Sequence, residues 1–129
     1  MPFVRGGELY KILMQEKRFP EPIVKFYIAQ IVMAIGHLHS KGIMHRDLKL
    51  ENVLVSESGY LKIIDYGLAK LSSDTSLAQT YCGTPEYLAP EMIQGTGHDQ
   101  TVDWWAVGIL TYELMIGGTP FYHKNRQIL

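Results

Sequence analysis

The sequence is short of several things, and each shortage excludes something. It has one cysteine, Cys82, so no internal disulfide can form, and the thiol count fits a reducing compartment. It has no excess of either charge. Its 12 Lys and Arg stand against 13 Asp and Glu, a net charge of −1, which leaves no basic footprint for nucleic acid. The N-terminus carries neither the apolar core of a secretory signal nor the Met-Gly start of a myristoylated protein. The most apolar stretch, Val102–Pro120, is interrupted by Asp103, Glu113 and several glycines, so no membrane segment is expected. Internal repeats, low-complexity tracts and linkers are also lacking. These absences describe a globular chain whose expected location is the cytoplasm, with the nucleus as the alternative.

What is present is a 129-residue chain of ordinary hydrophobicity, long enough for a real core. Residues 7–17 form a short helix candidate after a Gly-Gly break. Pro20-Glu21-Pro22 opens a stronger helix from Ile23 to Ser40, with Ile23, Tyr27, Ile31, Ala34, Ile35 and Leu38 on one face at helical spacing. That stripe reads as core packing. Lys41-Gly42 ends the helix. A second apolar helix spans Thr101–Ile116 and stops at Gly117-Gly118. Val53–Val55 and Tyr60–Ile64 are strand-like runs separated by the polar turn Ser56-Glu57-Ser58-Gly59, so a hairpin is predicted.

The chemistry concentrates around that hairpin. His45-Arg46-Asp47-Leu48-Lys49-Leu50-Glu51-Asn52 leads into it, and Asp65-Tyr66-Gly67 follows it. The hairpin brings Asn52 and Asp65 together at its open end, as an amide oxygen and a carboxylate suited to Mg2+. Asp47 and Lys49, two apart, project to the same side if their loop is extended. Asp47 can accept or orient the proton of an attacking hydroxyl, and Lys49 can offset charge on a transferring phosphate. An Asp-x-Lys pair alone is ordinarily a solvated surface pair, and Asp-Tyr-Gly alone is a turn. Their coincidence at fixed spacing around one hairpin is what carries the signal. His37 and His39 sit on different helical faces and make a poor metal pair, and Trp104 and Trp105 read as core anchors.

From Val4 to the C-terminus the chain resembles the eukaryotic protein kinases, whose general motif pattern the loop and Asp-Tyr-Gly follow. Gly83-Thr84-Pro85-Glu86-Tyr87-Leu88-Ala89-Pro90-Glu91 resembles the end of an activation segment, and Asp103–Gly108 the start of the central helix of the large lobe. Lys49 points to the serine/threonine branch. Cys82–Tyr87 together with Asp103-Trp104-Trp105 is similar to the AGC group, the kinases related to Akt and the cyclic-nucleotide-dependent kinases. His45 stands where many of that group carry Tyr, and Tyr66 where the family usually has Phe. A buried tyrosine hydroxyl at that position would need a partner.

The resemblance implies an α+β, mainly α, protein-kinase-like fold. It also implies that residues 1–129 are a partial kinase domain, running from the inter-lobe hinge at Met1–Val4 through the central helix of the large lobe. The small lobe and the C-terminal helices are then expected to lie outside it. The implied activity is transfer of the ATP γ-phosphoryl group to Ser or Thr of proteins. Asp47, Lys49, Asn52 and Thr84 are the implied catalytic residues. Lys49, Glu51, Asn52, Asp65 and Glu8 are implied to border the nucleotide, and Asn52 and Asp65 to hold Mg2+. Glu8, Glu51 and Glu113 are implied to meet arginines upstream of the acceptor residue. Thr80 is the implied phosphosite, paired with Arg46 and Lys70 and served by an upstream activating kinase. In the family Glu91 pairs with a distant arginine. The only arginine after Arg46 is Arg126, too early to match, so Glu91 is expected as a buried weak point. Two other readings compete: a catalytically incompetent fragment that only binds partners, and a small-molecule kinase, which the Gly83–Glu91 segment disfavours.

Overall fold

The computed structural model describes residues 7–71 and 83–124. In chain order these form α1 (Leu9–Glu16), α2 (Glu21–Ser40), β1 (Ile43–Met44), β2 (Val53–Val55), β3 (Leu61–Ile63), β4 (Lys70–Leu71), α3 (Pro90–Gln94) and α4 (Thr101–Ile116). Single 3-10 turns cover Leu50–Asn52 and Pro85–Tyr87. The architecture is mainly helical, with two small antiparallel ladders.

Local chemistry explains where α2 begins and ends. Pro20 precedes it in an extended conformation and Pro22 lies in its first turn, where a missing N–H costs nothing. Glu21 complements the positive helix end and pairs with Lys25 at 2.7 Å, an exposed pair worth only a few tenths of a kcal/mol. At the other end Gly42, at φ 69°, donates its N–H to the His39 carbonyl. The helix starts two residues before the periodic stripe, at Glu21. Its inner face is also turned slightly. Ile23 is 41 % exposed, and Val24 takes its place inside with Ile31 and Ile35.

The core gathers Leu9 and Leu13 of α1, Ile31 and Ile35 of α2, Leu48 and Leu50 of the loop, Val53 of β2, and Leu110 and Leu114 of α4. Burying each of these contributes about 1.5–3 kcal/mol. A smaller cluster of Leu88, Ala89, Met92 and Val102 joins α3 to the start of α4. By length and composition α2 could cross a membrane, unlike residues 102–120, but one of its faces is committed to α4 and to the strands.

The hairpin forms as the pattern predicts, with Val53 opposite Ile63 and Val55 opposite Leu61. Ser56 closes its turn: its carbonyl accepts the Gly59 N–H at 2.9 Å and its hydroxyl accepts the Tyr60 N–H at 3.0 Å. The pairing of β1 with β4, two residues each, is invisible to a pattern that needs at least four residues of alternation. Gly117 ends α4 at φ 94°, donating to the Glu113 carbonyl, and a Cβ there would collide with the Lys17 carbonyl. Glycine is therefore required both by conformation and by close approach.

Of the two tryptophans expected as core anchors, Trp105 packs against the smaller cluster and Trp104 does not reach the core. Trp104 is 40 % exposed, with its ring against the edge of His39. Trp105 is half-buried and stacks on Phe121. An indole is too large to fit where α4 meets α2, and small or aliphatic residues such as Ala106 and Leu110 occupy that seam instead. Glu91 keeps partial access to solvent, so it is not the sealed carboxylate its family pairing suggests.

Candidate active site

The loop from His45 to Asn52 is fixed from below by one carboxylate. Asp103, 1 % exposed near the start of α4, accepts the His45 N–H on Oδ2 and the Arg46 N–H on Oδ1, both at 2.9 Å. Oδ2 also meets His39 Nε2 at 2.8 Å, so that ring nitrogen carries the proton. These bonds hold Arg46 at φ 66°, a left-handed conformation costing a bulky residue about 1–3 kcal/mol. The Arg46 side chain is held too, its Nε donating to the Leu68 carbonyl at 2.7 Å.

The strained turn delivers Asp47. Its N–H is donated to His45 Nδ1 at 3.3 Å, which requires a neutral ring with its proton on Nε2. Burial lowers the His45 pKa and keeps it neutral against the opposing pull of Asp103, Asp47 and Asp65. The Ile64 backbone also favours the charged ring, but the buried Nε2 closes no well-formed hydrogen bond among the described residues.

Three side chains converge on the Asp47 carboxylate. Lys49 Nζ lies 3.1 Å from Oδ2, and Thr84 Oγ1 lies 3.4 Å from Oδ1. Lys49 Nζ donates to Thr84 Oγ1 at 3.0 Å, and Asn52 Nδ2 donates to the Asp47 carbonyl at 2.9 Å and to Oδ2 at 3.2 Å. Asp47 and Lys49 thus do project to one side, and Thr84 crosses from a distant segment to join them. Gly83 makes that crossing possible. At φ 110°, a Cβ on it would press within 3.1 Å of the Leu88 side chain and 3.2 Å of the Arg46 carbonyl.

Asn52 and Asp65 flank the open end of the hairpin, where the Ile64 N–H is donated to the Asn52 carbonyl at 2.8 Å. The Asn52 amide nitrogen faces two acceptors, so its Oδ1 is the atom left for a cation. Asp65, exposed and at φ 63°, uses Oδ1 to accept the Gly67 N–H at 3.1 Å and leaves Oδ2. Among the described residues no three His, Cys, Asp or Glu side chains gather as a metal cage. Two hard oxygens and a solvent-open face fit Mg2+, which keeps waters and takes phosphate oxygens. Tyr66 is 49 % exposed, its hydroxyl reaching the Ile63 carbonyl at 3.4 Å and its ring edge-on to His45 at 5.3 Å. No buried hydroxyl arises.

The three glutamates divide. Glu51 and Glu113 line a cleft of about 530 Å³ together with Glu86, Tyr10, Tyr87 and Tyr112. Glu8 lies outside that lining and pairs with Lys11 at 3.0 Å. The Tyr87 hydroxyl donates to Glu113 Oε2. Burial raises the pKa of both groups, and for Glu113 the charges of Glu51 and Glu86 push the same way while the Tyr87 bond opposes. Thr80, Cys82, Arg126 and the Met1–Val4 hinge lie outside the described residues; Lys70 is in β4, opposite Met44.

Residue types alone miss Asp103, His39, Gly83, Glu86 and Tyr87. The available signal for Asp103 was an acid inside an otherwise apolar helix. His39 left none, because its partner lies 64 positions away.

A protein kinase domain family model matches residues 1–129. Among curated proteins the chain is 46 % identical over 125 residues to cAMP-dependent protein kinase type 3 of Saccharomyces cerevisiae, covering 97 % of this chain and 31 % of that protein. It is 51 % identical over 125 residues to protein kinase 2 of Dictyostelium discoideum, covering 97 % and 26 %. With ribosomal protein S6 kinase alpha-2 of Homo sapiens it shares 47 % over 128 residues, covering 98 % and 18 %. The chain spans about a third or less of the length of these relatives. With a family model matched throughout and relatives of this kind, the chain belongs to the protein kinase domain family, on its AGC-like serine/threonine branch.

Proposed function

We propose that the protein to which this chain belongs transfers the γ-phosphoryl group of ATP to serine or threonine of protein substrates carrying upstream arginine. The observation that carries the reading is the closed set Asp47–Lys49–Thr84–Asn52, in which every member touches another within 3.4 Å. Asp47 accepts or orients the acceptor hydroxyl's proton. Lys49 is held beside it by Thr84, ready to offset charge that develops on the phosphate. Asn52 aligns Asp47 with its amide nitrogen, which leaves its oxygen free for a cation. Mg2+ bound by Asn52 and Asp65 supplies charge neutralisation on the nucleotide phosphates. Lys49, Glu51 and Glu8 border the nucleotide in this reading, and Glu51, Glu113 and Glu8 face the peptide.

Thr80 serves as the phosphorylation switch, set by an upstream kinase and read by Arg46 and Lys70. Arg46 adjoins the base, and that adjacency supports the assignment. Phosphate on Thr80 of the active protein, with activity lost in Thr80→Ala, is the expected result.

The deciding experiment incubates the chain with ATP, Mg2+ and a serine peptide bearing upstream arginines, beside Asp47→Ala. Transfer that falls by about 10²–10⁴-fold in the variant supports the reading. Peptide binding without transfer by either protein supports the binding-only alternative.

A further inference from the structure

We propose that recognition of an arginine in the Glu51–Glu86–Glu113 cleft is proton-linked: the empty cleft keeps a proton on the Glu113 carboxyl, and an entering guanidinium drives it off to solvent. This rests on reading the cleft as the arginine-binding part of the site.

The geometry sets up the linkage. Glu113 projects from α4 and is 5 % exposed, and its Oε2 accepts the Tyr87 hydroxyl. Glu51 Oε2 is fully buried with no hydrogen-bond partner among the described residues. The groups lining the same cleft from each side are Glu86 and Tyr87 of the 85–87 turn, Glu51 of the 50–52 turn, Tyr10 of α1, Tyr112 of α4 and Tyr122 beyond it. Its lining holds three carboxylates and no lysine, arginine or histidine. Carboxylates crowded without a cation cannot all ionise cheaply, and the most buried one yields first.

Burial therefore holds Glu113 towards its neutral form, Glu51 and Glu86 reinforce this, and the Tyr87 bond resists it. A neutral Glu113 can still accept the Tyr87 hydroxyl on one oxygen and carry its own proton on the other. A guanidinium reverses the balance, because it brings a full positive charge and paired donors that favour the carboxylate. The proton leaves the Glu113 carboxyl for the buffer, and no covalent bond between heavier atoms changes. Affinity for arginine then rises with pH, by up to about tenfold per pH unit, until Glu113 is ionised in the empty cleft.

The test is calorimetry of the 129-residue chain with a serine peptide carrying upstream arginines and with its citrulline counterpart. At each pH over about 5 to 8 it is run in two buffers that titrate near that pH and differ in ionisation enthalpy, so that the released proton is taken up and read. The arginine peptide should release up to one proton at the acid end, fading as pH rises, while the citrulline peptide releases none. Glu113→Gln should bind more weakly with a flat pH profile. Tyr87→Phe, which removes the bond opposing the shift, should move the profile to higher pH. Arginine-dependent binding with a flat profile and no proton release overturns the linkage alone. Equal or absent binding of both peptides at every pH overturns the arginine reading and the linkage with it.

Discussion

Two residues of the candidate site share a costly positive-φ backbone, Arg46 at φ 66° and Asp65 at φ 63°, and they are supported very differently. Arg46 sits over the buried Asp103, which takes its N–H and that of His45, and its side chain is tied to Leu68. Asp65 is exposed and largely makes its own turn, through one bond to the Gly67 N–H. The base side of the site is thus imposed by the core. The Asn52–Asp65 side is set by local backbone and by one bond from the hairpin, Ile64 to Asn52. Preorganisation is strongest where a proton must be handled. The Asn52–Asp65 side keeps open oxygens, which suits the Mg2+ proposed there, an ion that brings its own waters.

The harshest way to break this contrast is Asp103→Ala. It strands the buried N–H groups of His45 and Arg46 and removes the partner of His39, and it should cost about 3–5 kcal/mol. Urea denaturation reads the loss. Amide exchange should show His45 and Arg46 opening before the α4 core does; retained protection of both amides would contradict the anchoring role.

A milder test uses pH. Burial lowers the His45 pKa from its usual 6.5, so the folded state binds fewer protons at this ring than the unfolded chain does. Its contribution is present above about pH 6.5 and is lost as pH falls towards the lowered value. Acid should therefore loosen the base side first. His45→Gln should flatten that part of a pH–stability curve, and an unchanged slope would remove His45 as its source.

The smallest effect is expected at Asp65→Gly. Relief of the left-handed backbone, worth about 1–2 kcal/mol, offsets the lost turn bond, so stability should stay level or rise slightly in urea. A large loss would mean that Asp65 is anchored as firmly as Arg46, and the contrast would fall.

How much of this was legible in the sequence depends on distance along the chain. The hairpin, α4 and the Asp47–Lys49 geometry rest on local rules of turn, period and alternation, and they stand as those rules imply. Thr84 joins them because its motif, not its spacing, pointed there. The β1–β4 ladder is too short to show a period. Ile23 and Val24 traded places because a helix face can rotate slightly at its first turn without breaking its pattern. Trp104 misled because hydrophobicity does not say whether so large a ring fits a seam.

Gly117 has a genetic consequence. Every missense change available to a glycine codon adds at least a Cβ, and here that atom meets the Lys17 carbonyl on a backbone that disfavours it. The position has no mild neighbours in codon space. The cost falls one turn from Glu113, whose carbonyl caps the same glycine. In a library of single substitutions, residue 117 should read as uniformly intolerant although it carries no side chain, and losses of arginine-peptide binding should appear there as often as at the acids themselves.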